Sequence, residues 1–274
     1  MQPVHMMDHD ETAASGTQSV DRALSLLGMI ARGPAEGVGL SVLVSGSGLN
    51  KATVRRLLLA LIRSGMVEQE PATRLYHLGD EAHVLGALAA ERPGLQRLAA
   101  ESLMRLAQDT GDAAILSVRQ GASSLCLARQ DGAFPIRTHV LLPGQRHPLG
   151  VGAGSLAILA ALPDDEVQSV LRANADHLAQ GYPQLRPGDL VEQVARTRAR
   201  GHALNPGLIF EGSWGMGIAL RHPDSRLAGA LSLAAVESRM RDDRQPELLA
   251  RLQAEAARIE RHLAHLAPKK GKHT

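Results

Sequence analysis

The run Gly39-Leu40-Ser41-Val42-Leu43-Val44-Ser45-Gly46-Ser47-Gly48-Leu49-Asn50-Lys51-Ala52-Thr53-Val54-Arg55-Arg56-Leu57-Leu58-Leu59 decides how this chain folds. It reads as a short apolar helix from Ser41 to Ser47, a turn at Gly46-Ser47-Gly48-Leu49, and a second helix with a basic, acid-free side, which is the arrangement of a helix-turn-helix. In the second helix Val54, Leu57, Leu58, Leu61 and Ile62 make one apolar stripe, leaving Lys51, Ala52, Arg55, Arg56 and Arg63 towards the other side. Ala52 and Thr53 are small enough to let its N-terminal end approach a groove about 12 Å wide, where arginine is a common donor to guanine. In one isolated helix, a solvated basic face would look the same. The downstream residues decide against it: Gly65-Met66-Val67-Glu68 and Arg74-Leu75-Tyr76-His77-Leu78-Gly79 flank the turn Pro71-Ala72-Thr73 as the two extended runs of a wing. The expected DNA contacts are Asn50, Lys51, Ala52, Thr53, Arg55, Arg56 and Arg74.

Upstream, Val20, Ala23, Leu24, Leu27 and Ile30 recur at helical spacing, with Ser19 and Asp21 placed to cap the start and Gly33-Pro34 to stop it. Residues 1–17 lack periodicity and read as a disordered lead-in, in which His5 and His9 would grip a metal only weakly. Downstream, Asp80 to Leu88 continues as a helix ended by Pro93-Gly94. The expected organisation is therefore a DNA-binding domain at 18–79, a linker helix at 80–94, a second domain at 95–267 and a basic tail at 268–274.

Composition supports two domains. The chain has 274 residues, 44% of them hydrophobic, enough to bury more than one small core. Its net charge of +2 says little, but the distribution is informative: residues 49–63 hold four Lys or Arg and no acid. No apolar run approaches the roughly 20 residues a bilayer span needs, and a start containing Asp8, Asp10 and Glu11 is not expected to act as a signal peptide. The lone Cys126 excludes an intramolecular disulfide. A cytoplasmic protein, nucleoid-associated when on DNA, is expected.

In the second domain, Ala114-Ile115-Leu116-Ser117-Val118 and Ser124-Leu125-Cys126-Leu127-Ala128 flank Gln120-Gly121-Ala122 as a strand-turn-strand unit. A glycine-rich run, Pro148 to Ser155, leads into the apolar helix Leu156 to Leu162, followed by helices at about Asp164 to Leu178 and Pro187 to Arg200. Strands at Gly215–Leu220 and Ala228–Ala235 come next, and Leu249, Leu252, Ala256, Ile259, Leu263 and Leu266 mark a long packing or dimerising helix. The class is α+β, an antiparallel sheet flanked by helices.

The glycine-rich run is the candidate small-molecule site. Amides at a helix N-terminus, unobstructed by side chains, hold anions without a basic residue, and Gly152, Ala153, Gly154 and Ser155 would supply them. The same small residues would equally permit close packing of helix on sheet. Ser232, in a strand otherwise of Ala and Leu, is the expected polar partner, and Asn205, Glu211, Trp214 and Met216 sit where the pocket would close. With aromatic residues at 2%, a stacking cage for a large aromatic ligand is poorly supplied.

Catalysis is not indicated. Cys126 lies between Leu125 and Leu127 with no neighbouring acid or His, as a buried structural thiol would. His262 and His265 fit a solvated helix face, and Gly150-Val151-Gly152-Ala153-Gly154 lacks the Lys-Ser/Thr ending of a phosphate loop. No catalytic residue, metal ligand or cofactor is expected.

With these parts in order, the sequence resembles the IclR family of bacterial transcriptional regulators. The resemblance rests on Gln18-Ser19-Val20-Asp21-Arg22-Ala23-Leu24, on Gly48 to Leu58, on Tyr76-His77-Leu78-Gly79, and more loosely on Pro148-Leu149-Gly150, Arg200 to Leu204 and Ala230 to Leu233. It implies an N-terminal winged helix-turn-helix, a helical linker and a C-terminal GAF-like domain that binds a small metabolite, commonly a carboxylate. It further implies a homodimer or homotetramer acting on a palindromic operator in double-stranded DNA. Asn205 stands where an acidic residue is frequent in the family, and Ala234 where a second Ser often lines the pocket. The competing reading is a GAF-like small-molecule-binding or catalytic module whose winged-helix segment serves protein contacts.

Overall fold

The computed structural model describes residues 13–91, 94–136 and 141–266, and its contacts divide the chain into two compact units, Met1–Arg92 and Pro93–Thr274. His5, His9, most of the expected lead-in and the basic tail lie outside the described residues. Among the described residues no helix is long and apolar enough to cross a membrane.

The first unit is built on α1 (Ala13–Ala31), α2 (Leu40–Ser47) and α3 (Lys51–Arg63). α1 starts six residues before Ser19, so residues 13–17, expected to be disordered, are helical. Its buried stripe is Leu26 and Ile30 with half-buried Ala23 and Leu27, while Val20 and Leu24 of the expected stripe are exposed. Positions 23, 26, 27 and 30 themselves follow helical spacing, and this face is the one that meets Leu43, Val54 and Leu58. α2 starts one residue before the expected Ser41 and runs to Ser47, and the chain reverses at Gly48, which takes φ +66°, a left-handed conformation suited to glycine. Asn50 then caps α3: its Oδ1 accepts from the Thr53 backbone N–H at 2.8 Å.

The wing is the antiparallel pair β1 (Val67–Gln69) and β2 (Tyr76–Leu78), with Val67 opposite Leu78. Tyr76 also exchanges both backbone hydrogen bonds with Val38 at 3.0 Å, tying the wing to the segment before α2. After it runs α4 (Asp80–Glu91), with Asp80 and Glu81 in the first turn where the helix dipole favours acids.

The second unit opens with α5 (Leu95–Thr110), then the hairpin β3 (Ala113–Gln120) and β4 (Ser123–Gln130). Short β5 (Arg146–Pro148) leads to α6 (Ala153–Ala160). The single helix expected from Asp164 to Leu178 is two, α7 (Asp164–Ala173) and α8 (Ala175–Gly181). The break falls at buried Asn174, whose amide donates to the Ala122 carbonyl at 2.8 Å instead of facing solvent. α9 (Pro187–Arg200), β6 (Ala203–Pro206), β7 (Ser213–Arg221), β8 (Leu227–Val236) and α10 (Gln245–Leu266) complete the unit.

Six strands form one sheet in the order β5-β4-β3-β8-β7-β6, each neighbour antiparallel. Helices cover both faces. On one, α5 and α10 bury Leu103, Leu106, Leu252, Ile259 and Leu263 against Leu116, Met216 and Leu231. On the other, α6 and α9 pack with Leu149, Ile158, Leu159, Leu190 and Ala230. The apolar seam of α10 is thus packed within its own unit, with Leu249 half-buried and Leu266 exposed. A bidentate contact from Arg105 on α5 to buried Glu255 on α10, at 2.9 to 3.2 Å, sits inside that packing.

Candidate functional site

In the first unit the candidate DNA-binding side is α3 with the wing. Period 3.6 sends Val54, Leu57, Leu58 and Leu61 into the core and leaves Asn50, Lys51, Ala52, Arg55 and Arg56 exposed, with Thr53 half-buried. Among the described residues, none of Lys51, Arg55, Arg56 and Arg74 has an acid partner, so their charge is available to a polyanion. Arg55 and Arg74 line one groove between α3 and the wing, together with Leu40, Ser41, Leu59 and Thr73. Arg74 adopts φ +62°, which costs a non-glycine residue about 1 kcal/mol. The turn enforces it: Arg74 N–H donates to the Glu70 carbonyl and Glu70 N–H to the Leu75 carbonyl, both at 2.9 Å, while Gln69 Nε2 donates to the Arg74 carbonyl. The carbonyl oxygen of the Asn50 side chain spends one of its two lone pairs on the cap.

In the second unit a cleft of about 510 Å³, counting its open mouth, lies between α6 and the sheet. Gly152 takes φ +83° as the residue before α6, and the first-turn amides of Ala153, Gly154 and Ser155 have no carbonyl one turn back within the helix. Close approach of helix and sheet depends on missing side chains. A Cβ on Gly217 would lie 2.8 Å from the Ala153 carbonyl, and one on Gly154 would lie 2.9 Å from Ser232 Oγ and 3.5 Å from Ser117 Oγ. The small residues therefore permit tight packing, and the same packing sets two serine hydroxyls beside the start of α6. Ser155 is used internally: its hydroxyl accepts from Gly150 N–H at 3.1 Å and donates to the Pro148 carbonyl.

Of the expected pocket residues, Gly152, Ala153, Gly154, Ser155, Asn205, Trp214 and Ser232 line this cleft. Asn205 Oδ1 accepts from Leu208 N–H at 3.0 Å and shapes the loop that closes it. Met216 and Glu211 do not line it. Residues alternate across a strand, so Gly215 and Gly217 face α6 while Met216, fully buried, belongs to the α5 and α10 side. Glu211 is exposed in the turn before β7.

Sequence reasoning passed over Ser117, Ser124 and His147, which line the cleft from β3, β4 and β5. Ser117 interrupts an apolar strand as Ser232 does, which was the available signal. His147 Nδ1 and the Tyr182 hydroxyl share a hydrogen bond of 2.7 Å, and burial pushes the Tyr182 phenol up. Among the described lining residues there is no Asp, Glu, Lys or Arg, so an anion here would meet amides, hydroxyls and the His147 imidazole. Cys126 is buried, and burial pushes its thiol up to about 11, with Arg129 pulling the other way.

The family model of the IclR helix-turn-helix domain matches residues 19–71, and that of the bacterial transcriptional regulator IclR C-terminal domain matches residues 87–261. The chain is 30% identical over 243 residues to the HTH-type transcriptional regulator BhcR of Paracoccus denitrificans, covering 82% of this chain and 86% of that one. In fold it is similar to an IclR transcriptional regulator from Alicyclobacillus acidocaldarius (TM-score 0.77, 23% identity, 90% of this chain and 99% of the other). A similar fold is found in an IclR homolog from Microbacterium hydrocarbonoxydans complexed with 4-hydroxybenzoate (TM-score 0.73, 20% identity, 89% and 98%). With both domain models matched in order and a basic helix-turn-helix in place, this chain belongs to the IclR family of bacterial transcriptional regulators.

Proposed function

We propose that the chain is a cytoplasmic, effector-responsive regulator in which residues 18–79 read a palindromic operator, residues 80–94 act as linker and residues 95–267 form a GAF-like sensor of a small carboxylic acid. The observation that carries this reading is the exposed, acid-free side of α3, Lys51, Arg55 and Arg56, in one chain with a cleft whose polar groups gather at a helix N-terminus. The relative solved with 4-hydroxybenzoate holds a carboxylic acid, which is consistent with that cleft chemistry. Exposed Val20 and Leu24 on α1, and Val84, Leu85 and Leu88 on α4, are apolar side chains that a second copy would cover, which supports a homodimer or a tetramer built from it. Effector binding would act by favouring one arrangement of the paired reader heads over another.

A gel shift with the DNA upstream of the chain's own gene tests the reader. Arg55→Ala/Arg56→Ala is expected to weaken binding by about ten- to a hundredfold and to flatten its dependence on log salt by about 0.9 for each phosphate no longer neutralised. Equal binding by wild type and the double variant would overturn the assignment of α3.

A further inference from the structure

The α6 side of the sheet carries a polar row that the helix N-terminus alone does not account for. Ser232 on β8 is opposite Ile115, two residues before Ser117 on β3; Ser117 is in turn two residues before Arg119, whose partner on β4 is Ser124. Ser124 is opposite His147 on β5. Residues two apart on a strand share a face, so Ser232, Ser117, Ser124 and His147 cross four neighbouring strands under the cleft, and all four line it. Ser232 and Ser117 converge on Gly154 at the start of α6, whereas Ser124 stands a strand further away.

Ser124 is the telling member. It is only 2% exposed, and its hydroxyl has no hydrogen-bond partner among the described residues. Buried hydroxyls are almost always partnered, because one that is not keeps its desolvation cost unrelieved. A hydroxyl at the wall of a cleft and in this state points to a partner that arrives with a ligand. Ser117 and Ser124 are diagonal neighbours on adjacent strands, a relation that spans roughly 7 to 8 Å between backbones.

We propose that Ser124 is the second recognition pole of the cleft, so that the effector is a carboxylic acid carrying a hydroxyl roughly 5 to 8 Å from its carboxylate. The carboxylate lies against the first-turn amides of α6 with Ser232 and Ser117, the remote hydroxyl meets Ser124, and the apolar walls Ile115, Val151 and Ile209 take the carbon frame between them. The inference rests on the reading of this cleft as a carboxylic-acid site and adds the position of a second polar group.

Calorimetry on the full chain tests it with matched pairs: 4-hydroxybenzoate and benzoate, 5-hydroxypentanoate and pentanoate, 6-hydroxyhexanoate and hexanoate. Salicylate serves as the isomer whose hydroxyl sits beside the carboxylate. For at least one pair, wild type is expected to bind the remotely hydroxylated acid about tenfold or more tightly than its partner, and salicylate is expected to show no such gain. Ser124→Ala should erase that difference while leaving the affinity for the unhydroxylated acid unchanged. Its urea midpoint without ligand should be no lower than that of wild type, since it removes an unpartnered buried hydroxyl. Equal affinity within every pair in wild type, or a preference that survives in Ser124→Ala, would overturn this inference alone. Failure of every acid to bind wild type would overturn the carboxylic-acid reading of the cleft and this inference with it.

Discussion

Cys126 shows what a strand interior does to a reactive group. Burial holds its thiol neutral up to about 11, so at pH 8 its thiolate fraction is about a hundredfold below that of an ordinary thiol. Alkylation by iodoacetamide at pH 8 should therefore be at least that much slower for the native chain than for the chain in urea. Comparable rates in the two conditions would show a thiol that is neither buried nor shifted. The residue was legible in the sequence because Leu125 and Leu127 flank it and no His or acid adjoins it. Ser232 was legible for a similar reason, as one hydroxyl in a strand of Ala and Leu. Ser124 was not: it is the second residue of its strand, and only the cross-strand register with Arg119 and His147 brings it to the cleft. Met216 was placed with the loop and strand that close the pocket, although the parity that turns it to the other face was already marked by Gly215 and Gly217 on either side.

At the scale of elements, α3 carries both the fold of the first unit and the DNA contacts proposed for it, and Asn50 separates the two. Asn50→Ala should cost about 1 kcal/mol through loss of the cap to Thr53. Asn50→Asp should keep the cap and the stability yet weaken operator binding, because its carboxylate adds negative charge at the end proposed to meet DNA. Urea unfolding paired with gel shifts distinguishes these outcomes; wild-type affinity in the aspartate variant would remove position 50 from the interface. The existence of α1, α3, the wing strands and the β3–β4 hairpin followed from periodicity and turn residues. Ends and breaks followed less well. α1 offered two overlapping apolar stripes, and only the partner helices choose between Val20 with Leu24 and Leu26 with Leu27. The division of α7 from α8 depends on Asn174 reaching the Ala122 carbonyl, 52 residues away in sequence, which no local pattern encodes. Short β5 and β6 lie at the two edges of the sheet and are fixed by pairing rather than by any apolar alternation of their own.

Across the molecule, the second unit is fastened by an ion cluster joining distant parts of the chain. Asp112, its side chain 2% exposed, receives Arg239 Nε at 2.6 Å and Arg244 Nη1 at 2.7 Å, and both arginines also donate to the Thr110 carbonyl at the end of α5. Phe134 lies 4.2 Å from the Arg239 guanidinium, completing the enclosure. Asp112→Ala should destabilise this unit by about 3 kcal/mol, the lower end for a broken buried pair because the arginines keep some water contact. Trp214, the chain's only tryptophan, reports that unit's unfolding in urea; an unmoved midpoint would show the cluster to be decorative. The sheet it fastens is assembled out of order. β8 sits between β3 and β7 although it is the last strand in the chain, so the inner edge of β3, complete at Gln120, has no partner until Val236 has been made. At ordinary elongation rates a ribosome needs roughly 5 to 20 seconds to cover that stretch. Throughout that interval a nascent chain displays an open apolar strand edge, so this half of the protein, rather than the first unit, is the part expected to lean on chaperones during synthesis.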